Sequence, residues 1–271
     1  MALKGAIIGD IIGSQYEFRK PKGFDYKTAI LLSDKCHFTD DTVLSLATKY
    51  ALQNDISFTE AYKFFGLKYR NAGYGSSFSE WLDDDTSTPY NSYGNGSAMR
   101  ISYIVDYYNE YSNLDKIVKA TIRSAICTHN HIEGVLGAKT VAVCLWMAKQ
   151  GFHKYQILNF CNCVYSKYEY AYSSEHSLEE LRKIYRWNET CQGSVPVAIR
   201  CAYEANNYTE FIRNVLSLDC DTDTICAIGG GIAEELFDNS NDKILKQSDE
   251  ILNKYLDDYL LKIFYKNYKM Y

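Results

Sequence analysis

The sequence predicts an all-helical fold, and three observations carry that expectation. Only 3 prolines occur in 271 residues, and proline is the residue that helix interiors tolerate least. Runs of strict apolar–polar alternation, the mark of a half-buried strand, are scarce. Segment after segment instead spaces its apolar residues three and four apart. A chain this long can bury a large core as one domain or as two small ones. No fixed-period repeat and no linker-like stretch divides it, so a single domain over residues 1–271 is the economical expectation.

Composition narrows the functional classes. A formal charge of −5 argues against nucleic acid or an anionic membrane as a partner. The 9 cysteines are odd in number and scattered through apolar segments, as at Cys127, Cys144, Cys201 and Cys226. Cys161 and Cys163 form one short pair with no matching second pair, so buried reduced thiols are expected rather than a zinc site. No apolar run reaches membrane length, and Met1 to Lys4 lead straight into a glycine-spaced motif without a signal-peptide pattern. The expectation is a soluble, cytoplasmic protein acting as a monomer.

Taken in order, Gly5, Gly9 and Gly13 recur every four residues among isoleucines, which on a helix sets three glycines on one face open to close backbone approach. Asp10 lies inside that apolar run and needs a partner if buried. Glu17 follows where the run gives way to a polar loop, roughly 19 to 37. Thr39-Asp40-Asp41-Thr42 stands before a helix ending near Asn54, and an amphipathic segment runs from Phe58 to Arg70. Asn71 to Ser77 is a glycine-broken loop, and 79 to 92 reads as polar loop with a solvated Asp83-Asp84-Asp85 run. Asn91 to Arg100 opens another helix. Its Ser92, Tyr93, Gly94, Asn95, Gly96 and Ser97 read equally as a plain turn or as backbone donors that cradle an anion.

Further helices are expected at Leu114–Cys127, 132–150, 154–166, 177–187, 195–206 and 208–218. Pro196 is acceptable in a first turn. Between the first two lies Thr128-His129-Asn130-His131-Ile132-Glu133-Gly134. Its two histidines are two apart and do not share a helix face, so hydrogen bonding to substrate or backbone is favoured over metal ligation. Asp219 to Thr224 then runs into an apolar, glycine-rich helix, Ile225 to Phe237, and Lys243 to Tyr265 reads as one helical tail.

The chemistry concentrates in the two acidic tetrads. One Asp or Thr before a helix is ordinarily an N-cap. Capping does not require two carboxylates and two hydroxyls at each of two helix starts. Hard divalent cations do want such oxygens, and Mg²⁺ in particular takes carboxylates while keeping some waters.

Five stretches together resemble the ADP-ribosylglycohydrolase family: GAIIGDIIGSQYE at 5–17, TDDT at 39–42, YGNGSAMR at 93–100, THNHIEG at 128–134 and DTDTICAIGGGIAE at 221–234. The resemblance implies an all-α, compact orthogonal bundle holding two Mg²⁺, with Mn²⁺ as the alternative. It implies Thr39, Asp40, Asp41, Asp221, Asp223 and Thr224 as metal ligands, and Glu17, then Asp40, as the proton-handling group. It implies substrate contacts from Gly75, Ser76, the 92–97 loop and His129. The reaction would be cleavage of the C1″ bond between ADP-ribose and a protein or small-molecule acceptor. Glu17 matches a glutamate of relatives that act on serine and leans toward an oxygen-linked acceptor. Asp219-Cys220 stands where the family commonly has two glycines. A non-catalytic ADP-ribose-binding module and a di-metal phosphoesterase are the competing readings.

Overall fold

The computed structural model describes residues 1–108, 113–166 and 176–266. Its regular structure begins with α1 Ala2–Ser14, α2 Asp40–Asn54, α3 Phe58–Lys68, α4 Ser76–Asp83, α5 Gly96–Met99 and α6 Ser102–Tyr107. It continues with α7 Leu114–Ile126, α8 Ile132–Lys149, α9 Lys154–Tyr165, α10 Leu178–Ile184 and α11 Cys191–Tyr203. The last helices are α12 Tyr208–Leu216, α13 Thr222–Leu236, α14 Lys243–Lys246, α15 Ser248–Tyr255 and α16 Asp258–Tyr265. Among the described residues the only strand-like feature is an isolated bridge between Gly94 and Thr190. The fold is all-α.

Helices α1 and α13 are the centre of the bundle. Every residue of α1 except Lys4 is buried, and α13 is buried from Thr222 through Ala233. A helix apolar on all sides belongs inside, not on a surface. The glycine stripe lets the two backbones touch. A Cβ on Gly9 would sit 2.3 Å from the Cys226 carbonyl oxygen, and one on Gly13 would sit 2.5 Å from Asp223 Cα. Gly5 and Gly230 oppose each other in the same way, at 2.5 Å from each hypothetical Cβ to the other residue's carbonyl oxygen. The register is antiparallel, so the C-terminal end of α1 meets the N-terminal end of α13. At the far end, the Asp106 carboxylate accepts from Ala2 N at 3.1 Å and Leu3 N at 2.9 Å, capping α1 from outside its own sequence.

Four local expectations need correction. The stretch from 79 to 92 is not all loop, because α4 extends to Asp83 and buries Phe78, Trp81 and Leu82 against the bundle. Asp83, in its last turn, pairs with Arg70. The expected 177–187 helix stops at Ile184, and Tyr185 turns extended with its hydroxyl donating to Gly193 O at 3.2 Å. Pro196 lies inside α11 rather than in its first turn, since the helix starts at Cys191 behind a Thr190 cap. The C-terminal segment is three short helices. The last is restarted by Asp257, whose side chain accepts from Leu260 N at 2.8 Å.

Candidate active site

The site is built where α1, α2 and α13 meet. Asp10, fully buried, is the organiser. Its Oδ1 accepts from Thr39 Oγ1 at 2.7 Å, while Oδ2 accepts from Thr39 N at 3.0 Å, Thr42 N at 3.1 Å and Thr42 Oγ1. One carboxylate thereby fixes both ends of the Thr39–Thr42 turn. That turn presents Asp40 to the cleft and Asp41 to the interior, with Asp40 N donating to Ala72 O at 2.8 Å. On α13, Thr224 Oγ1 donates to Asp41 Oδ2 at 3.1 Å, and Thr222 Oγ1 donates to Gly13 O at 3.1 Å. The two acidic tetrads are therefore one cluster.

Within the cluster, carboxylate oxygens of Asp10, Asp41 and Asp223 all lie within 4.8 Å of one another, as do those of Glu17, Asp221 and Asp223. Asp223 belongs to both trios. Asp10 accepts four hydrogen bonds from hydroxyl and amide donors, so it also positions its neighbours in the Thr39–Thr42 turn. The fit to cations rests on two orphans. Asp41 Oδ1 and Asp223 Oδ1 are buried with no hydrogen-bond partner. A buried carboxylate oxygen without a partner is costly, and an all-oxygen donor set suits a hard divalent cation rather than zinc.

Electrostatics agree. Burial first, and then the Asp10 carboxylate, hold Asp41 well above the usual carboxylate range; for Asp223 the second cause is Asp221. Asp40 is raised by burial and by Asp10 and Asp221, while Asp10 and Asp221 are themselves raised by burial. Burial and the Asp221 charge push Glu17 up to about 7. So many like charges in one place call for a counter-charge.

Above the cluster opens a cleft of about 350 Å³, large enough for a nucleotide-sized ligand. Glu17, Asp40, Asp221, Asp223 and Thr224 line it, together with Gly75, Ser76, Ser92, Gly94, Asn95, Gly96 and His129. Thr39 and Asp41 lie beneath the floor. Tyr93 is half exposed and packs on His131 at 5.2 Å between ring centroids, and it does not line the cleft. Ser97 does not line it either. Its buried hydroxyl donates to Gly134 O at 2.7 Å.

The 92–97 loop is only partly available as an anion cradle. Gly94 N already donates to Ser92 Oγ at 3.1 Å, and Asn95 N donates to Glu189 O at 2.7 Å. The Asn95 side chain is committed as well, its Nδ2 donating to Asp221 Oδ2 at 2.8 Å and Ser194 Oγ at 3.1 Å. By contrast, Ser76 and Ser77 open α4 facing the cleft, where first-turn N–H groups have no partner within the helix. His129 is buried, with Nδ1 2.7 Å from Thr128 Oγ1, and burial followed by the Arg100 charge holds its imidazole well below the ordinary value. His131 is the N-cap of α8, accepting from Glu133 N at 3.1 Å. Asp219 points to solvent beside Lys20, whose Nζ donates to the Leu216 and Leu218 carbonyls.

Sequence reasoning missed four residues here. Asp10 was legible only as a buried acid. Phe18, Trp187 and Glu189 line the cleft from segments read as a loop and a helix end, and no local motif marks them.

The comparisons with known proteins converge. The ADP-ribosylglycohydrolase family model matches residues 1–233. A protein of Acanthamoeba polyphaga mimivirus that carries the name ADP-ribosyl glycohydrolase L543 is 25% identical over 285 residues, covering 88% of this chain and 86% of that protein. The ADP-ribosylhydrolase ARH3 of Gallus gallus is 28% identical over 184 residues, 55% of this chain and 49% of that protein. A solved structure described as an ADP-ribosylglycohydrolase-related protein complex shares the fold, with a TM-score of 0.72 at 18% identity over 99% of this chain and 96% of that one. With an acidic, all-oxygen cluster under a cleft on this helical scaffold, the chain belongs to the ADP-ribosylglycohydrolase family, glycohydrolase enzymes that act on ADP-ribosylated substrates.

Proposed function

We propose that the protein cleaves the C1″ glycosidic bond between ADP-ribose and an acceptor, with a binuclear Mg²⁺ or Mn²⁺ centre, as a single domain. The observation that carries the reading is the pair of acidic trios sharing Asp223, with Asp41 and Asp223 each holding a buried orphan oxygen. Thr39, Asp40, Asp41, Asp221, Asp223 and Thr224 would hold the cations. When bound, such a pair supplies Lewis-acid polarisation and fixes the orientation of the distal ribose.

The chain's own residues supply the rest. The N–H groups of Ser76 and Ser77, behind Gly75, face the cleft and hold the diphosphate, which favours a helix N-terminus. His129, kept neutral by burial, forms the wall behind Gly94 and Gly96. Cleavage at C1″ builds oxocarbenium character; water adds to C1″ and gives up a proton, while the departing acceptor takes one. Glu17 lines the cleft, with a carboxylate oxygen within 4.8 Å of oxygens of Asp221 and Asp223, which supports assigning it the transfer of a proton to the departing atom. Asp40, which also lines the cleft, is the second candidate for that transfer.

An ADP-ribose release assay tests the reading. Native protein with Mg²⁺ is expected to yield intact ADP-ribose from a conjugate, and chelator or Asp223→Asn to abolish release while the helical circular dichroism persists. Release of AMP instead, or full activity of Asp223→Asn with chelator present, would refute it.

A further inference from the structure

We propose that Phe18, Trp187 and Glu189 form the subsite for the group that leaves ribose C1″, and that this subsite selects a flat, positively charged acceptor, namely a guanidinium. The inference rests on the glycohydrolase reading above and names the acceptor class of that same site.

The rim is unusual for a surface loop pair. Phe18 is 84% exposed and Trp187 36%, yet the rings lie face to face, 24° from parallel with centroids 5.9 Å apart. Trp187 Nε1 donates to Glu189 Oε1 at 2.7 Å, so the carboxylate is held at the edge of the aromatic pair. All three residues line the cleft. Their positions are fixed from below. Glu189 O accepts from Asn95 N at 2.7 Å, and Cys191 N donates to Tyr93 O at 2.9 Å, which pins the extended 185–189 segment to the glycine loop. The other half of the rim follows directly on Glu17, whose segment is anchored by Tyr16 Oη donating to Ile30 O at 2.7 Å. The Trp187 ring is held by its Nε1 bond to Glu189, and Phe18 stacks on it.

Their place in the cleft identifies the occupant. Phe18 adjoins Glu17, the residue assigned the proton transfer to the departing atom, so the rim faces the acceptor and not the adenine, which lies beyond the diphosphate. The charged residues that line the cleft beside the ring pair are the carboxylates Glu17 and Glu189, while exposed Arg19, next after Phe18, lines the neighbouring pocket instead. Among the described residues that line the cleft Arg100 is the one cation, and it is fully buried with Nη2 donating to Ser124 O at 2.8 Å and Thr128 Oγ1 at 2.9 Å. Two nearby cations are committed elsewhere. Lys20 holds the Leu216 and Leu218 carbonyls, and Arg186 donates to Lys183 O at 3.0 Å and Tyr185 O at 2.7 Å. A guanidinium lying on an open ring face gains cation–π attraction, and it matches a carboxylate in shape and charge. A serine hydroxyl gains neither. The rim thus runs against the lean toward an oxygen-linked acceptor that Glu17 alone carries.

The test compares ADP-ribosylated arginine and serine peptides of the same sequence, using native protein with Mg²⁺, Trp187→Leu and Glu189→Gln. Free ADP-ribose affinity is measured by calorimetry in parallel. Native protein is expected to favour the arginine conjugate, and either variant to lower the arginine-to-serine ratio of kcat/KM by about tenfold, mainly through KM, with ADP-ribose affinity retained. A preference for serine, an unchanged ratio in both variants, or a loss of ADP-ribose affinity marking the rim as the adenine site would overturn the inference and leave the glycohydrolase reading standing. Release from neither conjugate would overturn both.

Discussion

Thr224 Oγ1 donates to Asp41 Oδ2 across 3.1 Å, joining residues 183 positions apart in the chain. That bond brings the start of α13 against the start of α2, and it exists because the glycine stripe of α1 lets α13 settle to backbone contact. Packing in the core therefore sets the geometry of the acidic cluster.

The glycine contact is the first point of test. With a Cβ 2.3 Å from a carbonyl oxygen, Gly9→Ala forces α1 and α13 apart. Overpacking of this kind costs about 1–3 kcal/mol. Urea melts are expected to show a lower midpoint, and Mg²⁺ is expected to raise the melting temperature less than in the native protein.

Asp10→Asn tests the organiser. The amide replaces one acceptor oxygen with a donor that faces Thr39 and Thr42, leaving like groups opposed. Losing hydrogen bonds to a charged group costs about 1.5–3 kcal/mol each in favourable cases. The expected result is a lower melting temperature and weaker Mg²⁺ binding by calorimetry. Unchanged Mg²⁺ affinity would show that the Thr39–Thr42 turn holds its shape without Asp10.

The pH dependence of cation binding has a definite sign. Asp40, Asp41 and Asp223 are raised well above the usual carboxylate value by burial and mutual repulsion. Between the ordinary value and the raised one, the folded protein binds more protons than the unfolded chain, so the cation-free protein loses stability as pH rises through that window. Ligation requires the deprotonated form. The melting-temperature rise produced by Mg²⁺ is therefore expected to be larger at about pH 7.5 than at about pH 5.5. Scanning calorimetry at both values decides it, and a larger rise at the lower pH would count against carboxylate ligation.

Lys49, remote from the cleft, gives an independent pH test of the scaffold. It is fully buried in α2, its Nζ donating to Phe264 O in α16 and lying 5.0 Å from the Tyr103 ring centroid. Burial lowers it to about 8 from 10.5, against the opposing pull of Asp106. Between those values the folded state binds fewer protons than the unfolded chain, so its contribution to stability grows as pH rises. Lys49→Met removes that term. Relative to the variant, native protein is expected to gain stability from about pH 7.5 to about pH 9.5, read from denaturant melts.

Much of this was legible in the sequence, for local reasons. Each acidic tetrad is contiguous and sits at a helix start, so its chemistry shows without knowing the fold. The four-residue glycine spacing likewise announces a close approach, though not that Gly9 would meet Cys226. What could not be read depends on distant segments meeting. Phe18 and Trp187 carry no local signal, and the 185–189 segment is tied to the distant glycine loop by Asn95 N, which donates to Glu189 O. The polarity of 79–92 concealed α4, because only Phe78, Trp81 and Leu82 pack inward. The loop donors at Gly94 and Asn95 read equally in sequence as a plain turn or an anion cradle, and they are used by Ser92 Oγ and Glu189 O.

The most direct measurement of the central claim is anomalous scattering from crystals soaked in Mn²⁺. Two peaks are expected, one on either side of Asp223, with Asp41 at one and Asp221 at the other. A cluster that stays empty at saturating Mn²⁺, or a single ion that leaves the Asp41 and Asp223 orphan oxygens uncoordinated, would contradict the binuclear centre.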